Sequence, residues 1–198
     1  MGHRPLGVAM SLGLLVAASC ASQAPTRNDI APLAPAVVEA LDPIPAGALP
    51  GRPSKVVELD AAGLAADSID TASLQTLLED AGFVAGTERR FSDTANGRRR
   101  VTARVLSFAT AQGAERYLSW LEGHVAELIG DAEVIQDPRT PSGGVVFVYE
   151  PTGCCHLETR LFLGAWQRDA TVLTLKVGGQ SIRLGLVLRF VSMLDAAI

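Results

Sequence analysis

Three consecutive residues, Cys154-Cys155-His156, carry the most reactive side chains of this sequence. Adjacent cysteines can close only an eight-membered ring, which distorts the peptide between them, and strained disulfides are the easily reduced ones. An oxidising compartment would favour that ring. Left reduced, the same residues are two free or partly buried thiols. With His156 added they form a soft donor set suited to a thiophilic metal. A closed zinc site needs four ligands, and the only other histidine beyond residue 19 is His124. The Cys-x-x-Cys spacing of a thiol oxidoreductase is absent. The sequence leaves all three readings open.

The second group is cationic. Arg89, Arg90, Arg98, Arg99, Arg100 and Arg104 flank Asn96-Gly97, the clearest hairpin signal in the chain, because both turn residues tolerate positive φ. One reading is a basic tip that meets anionic headgroups or an acidic envelope polymer. The other is a solvated hairpin whose charges block edge-to-edge pairing. Gly178-Gly179-Gln180-Ser181 offers backbone N–H groups for an anion if a helix starts there, or else a simple turn. His124, placed within a helix without an evident partner, reads as a helix-flank residue rather than a base. No nucleophile elbow, HExxH zinc motif, phosphate-cradling loop or dinucleotide fingerprint is present. These absences point to a non-enzymatic protein without a cofactor. A formal charge of −4 lacks the basic footprint that nucleic-acid binding needs.

The third cysteine, Cys20, ends an uncharged and mostly apolar stretch over residues 5–19 that follows His3 and Arg4. This is the layout of a secretory signal peptide, too short for a stable span. Val16-Ala17-Ala18-Ser19-Cys20 has the small residues of a lipoprotein cleavage site, with Ala17 where leucine is usual. We therefore expect residues 1–19 to be removed and Cys20 to carry a diacylglycerol and an amide-linked acyl chain. Several chains anchor firmly where one would be marginal. The expected address is the extracytoplasmic face of the cell membrane.

Residues 20–54 follow as a tether. They hold seven of the eleven prolines and none of the ten aromatic residues. Such a stretch cannot bury enough surface to offset its ordering entropy. The 34 residues after Cys20 would reach on the order of 110 Å when extended.

Residues 55–198 read as one folded domain. A short strand or extended lead-in is expected over 55–59. Asp70 or Thr71 caps a helix through Ala81, with Leu74, Leu77, Leu78 and Ala81 as its apolar face, ended by Gly82. Strands are expected over 83–92 and 99–108. A helix from Thr110 to Gly130 buries Ala114, Tyr117, Leu118, Leu121, Val125 and Leu128. The continuous apolar run 145–149 predicts a central strand. Residues 156–166 and 172–177 form a second hairpin, broken by Gly178-Gly179. A nearly all-apolar helix from Gln180 or Ser181 to about Ala196 follows. The expected order is α-β-β-α-β-β-β-α, an α+β fold with helices on one face of a mainly antiparallel sheet, open to a ferredoxin-like duplication.

The Cys20 motif, the Pro/Ala-rich tether, the Ala81-Gly82-Phe83-Val84-Ala85-Gly86 junction and the Val105-Leu106-Ser107-Phe108 strand leading into Thr110-Ala111-Gln112-Gly113-Ala114 resemble uncharacterised actinobacterial cell-envelope lipoproteins. The resemblance implies an envelope setting, with lipid, glycan or protein partners, and transfers no binding or catalytic residue. Two readings follow: a membrane-anchored binding or scaffold module, or a thiol redox or soft-metal protein centred on Cys154, Cys155 and His156.

Overall fold

A computed structural model of the chain describes residues 56–92, 99–151 and 159–196. Its frame is a seven-stranded sheet in the order β1-β2-β3-β7-β6-β5-β4, in which every neighbouring pair is antiparallel. The strands are β1 (Val57–Leu59), β2 (Phe83–Ser92), β3 (Arg99–Phe108), β4 (Glu133–Ile135), β5 (Val145–Tyr149), β6 (Thr159–Arg168) and β7 (Thr171–Gln180). The helices are α1 (Ala61–Ala65), α2 (Thr71–Asp80), α3 (Ala111–Gly123), α4 (Val125–Ile129) and α5 (Leu184–Asp195).

The α+β class and the antiparallel sheet are as expected, and three strands keep their expected bounds. Local chemistry sets the main helix ends. The Asp70 carboxylate accepts from the Ser73 N–H at 3.1 Å, and the Thr110 hydroxyl accepts from the Gly113 N–H at 3.0 Å. Gly82 turns the chain out of α2 at φ 69°, a conformation glycine adopts without steric cost.

The expectation of helices on one face is corrected: they cover both. Val101, Ala103, Val105, Phe162, Trp166, Leu173, Leu175 and Val177 pack with Val187, Phe190, Val191 and Leu194 of α5. Leu106, Phe108, Leu163, Ala165 and Val172 pack on the opposite side with Leu74 and Leu78 of α2 and with Tyr117, Leu118 and Leu121 of α3. The reason is visible along β6. Leu161, Leu163 and Ala165 alternate with Phe162, Gly164 and Trp166, so neither face can be left to water.

Other elements shift as well. A ferredoxin-like arrangement is ruled out, since its split βαβ unit needs parallel neighbours and this sheet has none among the described strands. Strand β5 lies second from an edge, not at the centre. Its apolar run reflects cover on two faces rather than a middle position. Gly178-Gly179 does not break β7, because both residues pair with Leu161 and Arg160 of β6. The last helix accordingly starts at Leu184. The helix expected from 110 to 130 is interrupted at His124, and the short α1 and β4 were not foreseen.

Candidate functional site

The register builds a cationic strip across the middle of the sheet. Glu88, Arg104 and Thr174 face one another on β2, β3 and β7. Arg90, Thr102, Lys176 and Leu163 form the next row, and Arg100, Gly178 and Leu161 the one after. Side chains alternate along a strand, so these rows share the face that bears α1 to α4. Further along the same face the residues become Leu106, Phe108 and Val172, all buried under the helices. Apolar helices can seal the apolar rows. They cannot close over the charged ones without leaving charge unsolvated.

What remains is a cleft of 620 Å³. Its floor is the cationic strip with Thr159, Thr174 and Leu161. Its walls are Leu64, Asp67, Ser68 and Leu74 on one side and Tyr117, Trp120, Leu121 and Leu128 on the other. The volume falls within the range of about 300–1,000 Å³ typical of small-molecule sites. An aromatic series runs along its helical wall. Phe108 and Tyr117 have centroids 5.6 Å apart, Tyr117 stacks on Trp120 at 6.0 Å, and Trp120 stacks on His124 at 4.6 Å.

The charges are arranged unevenly. Glu88 is only 3% exposed. It accepts from Arg104 Nε at 2.7 Å and from Arg90 Nε at 2.5 Å. Asp67 pairs closely with Arg104 and stands 3.8 Å from Arg90. Burial alone would pull the Arg104 guanidinium down, but Glu88 and then Asp67 outweigh it and hold Arg104 above its ordinary value. Burial lowers Lys176, and repulsion from Arg104 lowers it further, against a smaller pull from Asp67. Its ammonium donates to the Leu128 carbonyl at 2.8 Å. Burial raises the Tyr117 phenol to about 12.

The sequence-predicted residues fare differently. The pairing divides the arginine group between two faces. Arg90, Arg100 and Arg104 line the cleft, whereas Arg89 lies behind the sheet with its guanidinium 5.5 Å from the Phe91 ring centre. Arg99 donates to the Gln180 carbonyl at 3.0 Å. Arg98, the turn Asn96-Gly97, Cys20, Cys154, Cys155 and His156 lie outside the described residues. Among the described residues no cluster of three or more metal-ligating side chains forms. The helix-start anion site proposed for residues 178–181 is not built, because α5 begins later, but Gly178 and Gly179 do line the cleft. His124 ends α3, with Nδ1 2.8 Å from the Trp120 carbonyl. Sequence reasoning missed Glu88, Asp67, Thr102, Thr174 and Lys176. The alternation of Thr102 and Arg104 with Val101, Ala103 and Val105 was the available signal.

No protein-family model and no curated protein matches the chain. Among solved structures, the fold is similar to the extracellular domain of PknH from Mycobacterium tuberculosis. The TM-score is 0.55 at 12% identity, covering 81% of this chain and 89% of that one. At that identity the likeness is one of fold. Among the described residues no helix is long and apolar enough to cross a membrane.

Proposed function

We propose that the protein is a non-enzymatic, extracytoplasmic binding module of the cell envelope, anchored through a lipid on Cys20, with the sheet–helix cleft as its ligand site. The observation that carries the binding role is the cleft itself, a 620 Å³ space with an apolar aromatic wall over a polar, cationic floor. Concave sites of this size with a few convergent polar groups are where small molecules bind. Binding is favoured over catalysis by the state of the acids. Asp67 and Glu88 are both held by arginines, and among the described residues no histidine or cysteine lines the cleft. The extracytoplasmic address draws support from the signal-peptide layout of residues 1–19 and from the fold shared with an extracellular domain of a mycobacterial protein.

The test is extraction and mass spectrometry of the protein purified from its native envelope, beside a Leu128→Trp variant that fills the cleft. A small molecule present in near-equimolar amount in the wild type and depleted at least tenfold in the variant is the expected result. An extract identical for both proteins would remove the cleft as the binding site.

A further inference from the structure

Among the described residues the cleft's charges do not cancel. Arg90, Arg100, Arg104 and Lys176 face it, against the one lining carboxylate Asp67 and the buried Glu88 bonded to Arg90 and Arg104. Arg90 and Arg104 take both of those acids. Arg100 is exposed, lines the cleft and forms no ion pair among the described residues. Lys176 has only the Leu128 carbonyl as a hydrogen-bond acceptor and no carboxylate within ion-pair distance among the described residues. The two sit on adjacent strands. Arg100 is paired with Gly178, two residues from Lys176, which makes them diagonal neighbours roughly 7 Å apart on one face. Thr102 is paired directly with Lys176 and Thr159 lies beyond on β6, each adding a hydroxyl to the lining. Arginine, lysine and hydroxyls converging at that spacing make a receptor for a phosphate-type anion.

The other half of the same space has the opposite character. Trp120, Leu121 and Leu128 of the helical wall and Leu161 and Leu163 of the floor form an apolar surface continuous with the buried core under α3 and α4. A small hydrophilic anion would leave this wall wet, and a neutral lipid would leave Arg100 and Lys176 without counter-charge.

We infer that the cleft takes a monomeric anionic amphiphile, with a phosphate-type head held between Arg100 and Lys176 and one alkyl chain laid along Trp120, Leu128 and Leu161. This inference rests on the cleft being the ligand site. It adds the chemical class of the ligand.

The experiment uses the full chain with Cys20→Ser, which keeps the protein's own acyl chains from competing. Three probes are titrated below their micelle-forming concentrations: dodecyl phosphate, dodecyl maltoside and inorganic phosphate. The chain has two tryptophans. Trp120 lines the cleft, while Trp166 is buried on the far side of the sheet. Saturable change in Trp120 emission therefore reports cleft occupancy, and Trp120→Phe should abolish it. Dodecyl phosphate is expected to bind at least tenfold more tightly than either other probe. Arg100→Gln with Lys176→Gln should erase that preference while leaving the weaker maltoside binding and the melting temperature in place. Equal affinity for the two dodecyl compounds would overturn the anionic class and leave the cleft standing as an apolar site. Inorganic phosphate binding as tightly as dodecyl phosphate would overturn the amphiphile. No saturable signal from any probe would overturn both the class and the cleft reading.

Discussion

Tyr117 shows how single residues tune this site. Its ring is packed between Phe108 and Trp120, and its phenol lies near Arg104 and Asp67. Burial dominates over the pull of Arg104, so the phenol holds its proton to about 12. The unfolded chain loses the same proton near its ordinary value of about 10. The stabilising term is therefore fully present below about pH 10 and is lost as pH rises through about 12. That amounts to about 2–3 kcal/mol at 1.36 kcal/mol per pKa unit. Absorbance titration should resolve a tyrosine ionising near 12 in the native protein, and Tyr117→Phe should remove both it and the alkaline loss of stability measured in urea. A native titration in which every tyrosine ionises near 10 would contradict this. Glu88 is the other decisive residue. It holds two arginines on one buried carboxylate, which leaves Arg100 and Lys176 as the cleft cations without an ion pair among the described residues. Its place on a β2 predicted from sequence was foreseeable, but its pairing with Arg104 across on β3 was not.

At the scale of elements, the cleft depends on how closely α3 approaches α2. Gly113 sits in the first turn of α3, against the carbonyl of Ala81 at the end of α2. A Cβ placed there would lie 2.0 Å from that oxygen. The contacting atom is backbone, so it cannot move aside as a side-chain tip would. Gly113→Ala should therefore push α3 outward despite alanine's better helix propensity, at a cost of about 2–3 kcal/mol, as for other overpacked sites. Urea denaturation reads that loss, and unchanged or increased stability would show that the two helices are not held this tightly. Much of each element was legible from local chemistry. Period-two alternation marked β3 and β6, the Asp70 and Thr110 caps marked α2 and α3, and Gly82 marked the exit from α2. The signals that failed were also local. Gly178-Gly179 reads as a strand break, yet cross-strand pairing to Arg160 and Leu161 carries β7 through it.

At the scale of the whole molecule, the sheet divides the protein into a sealed side and an open side. Helix α5 covers one face with an apolar surface. Helices α1 to α4 cover the other only as far as its residues are apolar, and the charged rows beyond them become the cleft. The proposed anchor belongs to this scale too: residues 21–54, acting as the expected tether, would let the domain work within on the order of 110 Å of a membrane. Metabolic labelling with a lipid precursor should mark the wild-type protein and fail to mark Cys20→Ala. Equal labelling of the two would dispose of the anchor and return residues 1–19 to ordinary secretion. The hairpin arginines change meaning at this scale. The linear cluster splits by strand alternation, so Arg90, Arg100 and Arg104 serve the cleft while Arg89 and Arg99 serve the opposite side and its rim.

By itself the sequence determined the α+β class, the antiparallel habit of the sheet, the bounds of β2, β3 and β5, and the caps of the two main helices. All of these rest on contacts within a few residues or on side-chain periodicity. The tertiary structure alone decided that helices take both faces, that β3 and β7 meet at the centre of the sheet, and that cations with and without an ion pair among the described residues share one cleft. Those facts depend on which distant strands pair and in what register. Arg100 and Lys176 are 76 positions apart in the chain and become neighbours only through the register of β3 with β7.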